Sequence, residues 1–213
     1  SELLTIIGSL ARPNSWYFDV GANIGLMSVP IVRQRADVKV MSFEPSPNTA
    51  PSIQRTHVKA GFGERWQLRT KAAGRSCGEV EFSFGQAHLG GYDGMHHTGR
   101  VAATGKKKVE MTTLDHEWQM LGKPDVSFLK LDIEGAELEA LAGAEELVRA
   151  CRPWMILEWY EGNLGPYGLN QNAILDYAKS HGYDAVAVPT MTQVTSSALL
   201  EALMVHTSAF MLC

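Results

Sequence analysis

Acidic residues in this sequence gather at the ends of short apolar runs. Asp19 sits in "WYFDVGANIG", just ahead of Gly21 and Gly25. Glu44 closes "VKVMSFE", Asp132 and Glu134 follow "VSFLKL", and Glu158 ends "WMILE". Carboxylates so placed can accept hydrogen bonds from sugar hydroxyls, hold an ammonium, take a proton from an acceptor hydroxyl, or ligate a hard cation. Asp132 and Glu134 lie two apart at one strand tip, where like charges raise each other's pKa and suit a general base. The rival bases are His88 and His97, in a glycine-rich stretch that also holds His96. Glu158 and Tyr160 stand where an acceptor would lie, with Trp159, Tyr167 and Tyr92 as further candidates for a ring-binding surface. Neither the acids nor the histidines follow a spacing that marks a metal site, and no Cys-x-x-Cys pair occurs, so no metal is expected.

The glycine loop narrows the ligand. In an open α/β sheet, ligands bind beyond the carboxyl ends of the strands. Gly21 and Gly25 let the backbone turn tightly beside such a ligand. Asp19 ahead of the loop would repel a pyrophosphate and attract an ammonium. Glu44 at the next strand tip can accept from both ribose hydroxyls. A ligand with a ribose, an ammonium and no diphosphate satisfies both acids, and S-adenosylmethionine is such a ligand. An NAD-linked oxidoreductase requires G-x-G-x-x-G. Here the run is G-A-N-I-G, and Asn23 puts a side chain where a pyrophosphate comes closest. A non-catalytic protein retaining the fold would show a decayed loop, whereas this one is intact.

The elements that must position these residues follow from the apolar pattern. Strands are expected at 16–20, 38–43, 66–70, 80–84, 126–132, 154–159, 183–188 and 208–213. Many of these runs are continuously apolar, as strands buried on both faces of a parallel sheet are. Helical spacing fills 136–150 and 172–182, with Gly182 as a helix end. Strand alternating with helix implies right-handed crossovers and an open α/β sheet. Pro30 falls inside the helix expected after the glycine loop, so that helix either kinks or starts late. Residues 85–108 break the rhythm and read as a long loop near the active face, ending in Lys106–Lys108, a solvated strand end.

Composition bounds the rest. The 213 residues suit one domain over 1–213, with 45% hydrophobic and 20% charged residues. A net charge of −4 argues against a nucleic-acid partner. Three scattered cysteines, no leader pattern and no run long enough to span a bilayer give the expectation of a soluble, cytoplasmic protein with no membrane partner.

The segments "FDVGANIG", "FEPSPN", "KAAG", "TTLD" and "LKLDIEGAELEALAGAEELV", in that order, resemble the FkbM family of S-adenosylmethionine-dependent methyltransferases. The resemblance runs from about Trp16 to Glu158, and "KLDIEGAE" is its most specific part. It implies a class I methyltransferase (Rossmann-like) sheet of about seven mostly parallel strands, helices on both faces and the last strand antiparallel. It also implies O-methylation of a small-molecule acceptor, a sugar or natural product. Carried over by position, Asp19, Gly21, Asn23 and Gly25 would line the methionine end of the cofactor, with Asp132 beside it. Glu44 would bind the ribose, and Pro45, Ser46, Ala72 and Ala73 would border the adenine. Many such enzymes place an acid after the third strand to hold the adenine amino group, and "RTKAAG" offers none.

Overall fold

The continuously apolar runs form strands because both their faces are covered. The computed structural model describes residues 2–85, 93–96 and 105–213. Helix α1 (Glu2–Leu10) precedes β1 (Trp16–Val20), followed by α2 (Ser28–Gln34), β2 (Lys39–Phe43), α3 (Ala50–Ala60) and β3 (Trp66–Arg69). Three strands interrupt the alternation: β4 (Ala72–Ala73), β5 (Gly78–Phe84) and β6 (Gly105–Thr112). The chain continues through α4 (Leu114–Met120), β7 (Val126–Leu131), α5 (Glu137–Ala142), α6 (Glu145–Cys151) and β8 (Trp154–Glu158). It ends with α7 (Glu161–Leu164), α8 (Ala173–His181), β9 (Ala185–Ala187), β10 (Thr192–Gln193), α9 (Ser197–Met204) and β11 (Ala209–Leu212).

The main sheet has eight strands in the order β10-β9-β11-β8-β7-β1-β2-β3. Strands β3, β2, β1, β7 and β8 run parallel, and β11 is antiparallel between β8 and β9. This is the expected α/β sheet with its last strand reversed, plus the short hairpin strand β10. Strand order reverses between β1 and β7, so their carboxyl ends open a crevice there.

Side chains alternate across the sheet. Trp16, Phe18 and Val20 face a core shared with Leu114 of α4, Leu141 of α5, Leu147 of α6 and Ile174 of α8. Tyr17 faces the other core, with Ile7 of α1, Ile31 of α2 and Ile53 of α3. Each strand therefore needs apolar residues on both sides. Among the described residues no helix is long and apolar enough to cross a membrane.

Three local expectations meet a physical resolution. Helix α2 starts late, at Ser28, which puts Pro30 in the first turn, where a backbone N–H has no intrahelical partner to lose. The helix expected over 136–150 is broken into α5 and α6 at Gly143, which packs on the Gly74 carbonyl; a Cβ there would lie 2.1 Å from that oxygen. Residues 105–108, read as the end of a long loop, belong to β6, which pairs antiparallel with β5. That ladder is polar on its open face, where Lys106 pairs with Glu81 at 2.6 Å and Lys108 with Glu79 at 3.7 Å. Strands held by such exposed pairs carry no apolar signature.

Candidate active site

The glycine loop, residues 21–27, turns directly off β1. Gly21 and Ala22 both donate backbone N–H bonds to the Phe43 carbonyl at 3.0 Å, which ties the loop to the end of β2. Gly21 has φ +80°, and a Cβ on it would stand 1.9 Å from the Asp132 carbonyl oxygen. Its glycine is required by the close approach of the β7 tip. Asn23 also adopts a left-handed backbone, φ 52°, which asparagine tolerates better than most residues. This conformation aims its N–H at Glu44 Oε2, 2.7 Å away.

Glu44 leaves β2 and folds back into the loop. Its other oxygen, Oε1, accepts from the Ser46 N–H at 2.9 Å. The residue is 6% exposed, and burial pushes its carboxyl up to about 7 against the pull of those amides.

Asp19 is fully buried, and the charge opposite it is the protein's own Lys130 rather than a ligand ammonium. Asp19 Oδ2 accepts from Ser28 Oγ, and Oδ1 lies 3.4 Å from Lys130 Nζ. The same ammonium donates to the Gly21 carbonyl at 2.9 Å and pairs with Asp132 at 3.2 Å. Burial pulls the Lys130 pKa down, but Asp132 and Asp19 outweigh it and hold it above the ordinary 10.5. One lysine thus locks the glycine loop to the β7 tip.

A cavity of about 300 Å³ opens between these strand ends. Gly21 and Asn23 line it on one side and Glu44 and Pro45 on the next. Ala72 and Ala73 of β4 with Phe82 of β5 form an apolar wall, and Lys130, Asp132 and Glu134 close the far end. Asp19, Gly25, Ser46, Glu158 and Tyr160, all anticipated as site residues, lie outside this lining. Asp19 and Ser46 stand directly behind it, through Lys130 and Glu44.

At the β7 tip the chain makes a left-handed pair, Glu134 at φ 58° and Gly135 at φ +99°. Glu137 holds this turn from beneath, its Oε1 accepting from Ile133 N–H at 2.9 Å and Gly135 N–H at 3.3 Å. Glu137 is fully buried, and burial raises its carboxyl to about 8. Glu134 is buried, and its Oε2 accepts from Asn163 Nδ2 at 3.0 Å. The same amide reaches Glu158 at 3.5 Å. Carboxylate oxygens of Asp132, Glu134 and Glu158 all lie within 4.8 Å of one another, close enough to share a cation. No sequence spacing announced this convergence, because it is made by two adjacent strands.

His88, His97 and Tyr92 lie outside the described residues. His96 is described, and its ring packs edge-on against Tyr167 at 4.6 Å. Trp159 is fully buried and donates to the Gln171 carbonyl, a packing role, whereas Tyr160 is exposed. Lys130, Asn163 and Asp93 were not singled out from the sequence. Only Lys130 carried a signal, as a lone charge inside an apolar strand.

The AMB antimetabolite synthetase AmbE of Pseudomonas aeruginosa is 22% identical over 220 residues, covering 86% of this chain and 10% of the synthetase. The 2-O-methyltransferase NoeI of Sinorhizobium fredii is 24% identical over 193 residues, covering 82% of this chain and 75% of NoeI. The crystal structure of methyltransferase FkbM from Methylobacillus flagellatus KT superposes with a TM-score of 0.57 at 15% identity, over 99% of this chain and 50% of that one. This chain therefore spans a tenth of the synthetase's length and half of the solved FkbM chain. The structural likeness shows the fold. The Methyltransferase FkbM domain profile matches residues 19–185, from the end of β1 to the start of β9, and the chain belongs to the FkbM methyltransferase family.

Proposed function

We propose that this domain is an S-adenosylmethionine-dependent methyltransferase acting on a hydroxyl of a small-molecule acceptor, a sugar or natural product. The observation that carries the reading is the common lining of one cavity by the glycine-loop backbone, Glu44 and the acids of the β7 tip. The residues fit the cofactor. Glu44 offers a buried carboxylate for the ribose, Pro45, Ala72 and Ala73 offer apolar surface for the base, and Asp132 offers an anion to the methionine ammonium. When bound, S-adenosylmethionine supplies a methyl group on a sulfonium, already activated for in-line displacement.

The chain's own task is to position the acceptor and take its proton. Glu134 is the better placed base, since it lines the cavity and Asn163 fixes its carboxylate. Asp132 is the alternative, although Lys130 already engages it. With the cofactor held by Glu44 and Asp132, Glu134 would orient the acceptor hydroxyl and take the proton it gives up on methylation. The name of NoeI, a 2-O-methyltransferase, supports an oxygen acceptor. The net charge of −4 supports a small molecule over a nucleic acid.

The test is ligand stabilisation followed by an acceptor screen. S-adenosylmethionine and S-adenosylhomocysteine should raise the melting temperature and NAD should not. At a hundred times Kd the gain is about 2.7 kcal/mol. A folded sample that responds to neither sulfur nucleotide overturns the reading.

A further inference from the structure

Four acids among the described residues line the cavity: Glu44, Asp93, Asp132 and Glu134. Glu44 sits at the β2 tip and the last two at the β7 tip. Asp93 comes from the stretch between β5 and β6, and the site as described so far gives it no task. It is held there firmly. Its neighbour Gly94 exchanges two backbone hydrogen bonds with Ser83 of β5, at 2.8 and 3.0 Å, and packs beside Glu134. The Asp93 side chain turns the other way, towards the residues that follow Glu44. Its Oδ2 accepts from Ser46 Oγ and from Asn48 Nδ2, the latter at 2.9 Å, and its Oδ1 accepts from Gly85 N–H at 2.8 Å.

Asp93 is 8% exposed. A carboxylate has about four acceptor sites; the described residues fill three of them, and Asp93 is among the residues that line the cavity. The same cavity is lined by the apolar Pro45, Ala72, Ala73, Phe82 and Met95, with Lys71 beside them. Apolar lining with a carboxylate beside it suits a flat heterocycle whose edge carries an N–H donor. Arg69, Thr70 and Lys71, which lead from β3 to Ala72, bring no acid to this wall.

We propose that Asp93 reads the adenine of the cofactor, accepting a hydrogen bond from its exocyclic amino group. The inserted three-stranded sheet (β4, β6, β5) thereby supplies a base-recognition residue. This rests on the cofactor reading above. It predicts discrimination against S-inosylhomocysteine, which carries an oxygen in place of the amino group and would face the carboxylate with an acceptor.

Binding of S-adenosylhomocysteine and S-inosylhomocysteine is measured for wild type, Asp93→Asn and Ser46→Ala, with thermal unfolding as the check on folding. Wild type should prefer the amino ligand by about tenfold or more, the worth of a hydrogen bond to a charged group. Asp93→Asn should collapse that ratio, because its amide can donate to the oxygen. Ser46→Ala removes an anchor but keeps the carboxylate, so both ligands should weaken while the ratio survives. A wild-type ratio near one overturns the proposal without any variant. Equal weakening of both ligands in Asp93→Asn also overturns it, leaving Asp93 as an anchor of its segment. If folded wild type binds neither ligand, the cofactor reading itself fails and takes this assignment with it.

Discussion

Glu44 combines two properties that make it testable by pH alone. Burial lifts its carboxyl to about 7, and its proposed partners are hydroxyl donors that need the ionised form. Binding below about pH 7 must therefore expel a proton, and affinity for S-adenosylhomocysteine should fall by nearly tenfold per unit as the pH drops. Calorimetry in buffers of different ionisation enthalpy would detect the released proton, and a flat affinity between about pH 5.5 and 8 would remove Glu44 from the ribose site. Glu44→Ala should weaken binding by about tenfold to a hundredfold. It should also loosen the loop, since the buried carboxylate holds the Asn23 and Ser46 amides. The acids of the β7 tip make a second case. Glu134→Gln should lower turnover by about a hundredfold or more while cofactor binding persists. Because Lys130 and Asn163 already serve these acids, turnover should survive a chelator. Loss restored by magnesium would recast Asp132, Glu134 and Glu158 as cation ligands. At this scale the sequence was legible wherever an acid ended a strand. It could not show which acids are already satisfied. Asp19 has the residue type and position for an ammonium, yet its partner Lys130 lies across the sheet, and only pairing of β1 with β7 brings them together.

At the scale of elements, apolar periodicity located every strand of the parallel core, because burial on both faces leaves a continuous signature. It missed β4, β6 and β10. Two of these are two residues long, and β6 is held by exposed ion pairs. The helix break at Gly143 was also invisible, since the Gly74 carbonyl that demands it is distant in sequence. The same kind of backbone contact separates the two glycines of the loop. Gly21 and Gly25 both have positive φ, so alanine is strained at either, at about 1–3 kcal/mol. At Gly21 the new Cβ would also strike the Asp132 carbonyl, whereas at Gly25 it meets side chains at ordinary contact distance, the Trp66 ring at 3.4 Å and Val29 at 3.5 Å. Gly21→Ala should therefore cost about 1–3 kcal/mol more than Gly25→Ala in denaturant unfolding. It should also push the β7 tip away from the cavity and weaken turnover on a true acceptor. Equal stability losses would show that the β1 loop and the β7 tip do not constrain one another.

Across the whole molecule, the site places two raised carboxyls, Glu44 and Glu137, inside one folded unit of strand tips. Both lie above the ordinary 4.5, at about 7 and about 8, with burial as the first cause. For a carboxyl raised on folding, the folded state binds the proton more tightly than the unfolded chain. Its contribution to stability is full below 4.5 and is lost as the pH rises through the folded value. The cofactor-free protein should therefore lose stability between about pH 5 and pH 8, by an amount on the order of a few kcal/mol. Glu139 is shifted the other way by its hydrogen bonds to Arg75 at the surface, and its contribution is lost only in acid, as the pH falls below 4.5. The two raised groups can be separated. Ribose hydroxyls that donate to Glu44 favour its ionised form, so saturation with S-adenosylhomocysteine should flatten the part of the profile centred near 7. Glu137 lies under the β7 turn, where its Oε1 keeps two backbone amides. Glu137→Gln preserves an acceptor for them and cannot ionise, so it should flatten the part near 8 and leave cofactor affinity intact. A stability profile that rises from about pH 5 to 8, or one that neither ligand nor substitution alters, would mean that these carboxyls ionise freely and that the turn is not held by a neutral acid.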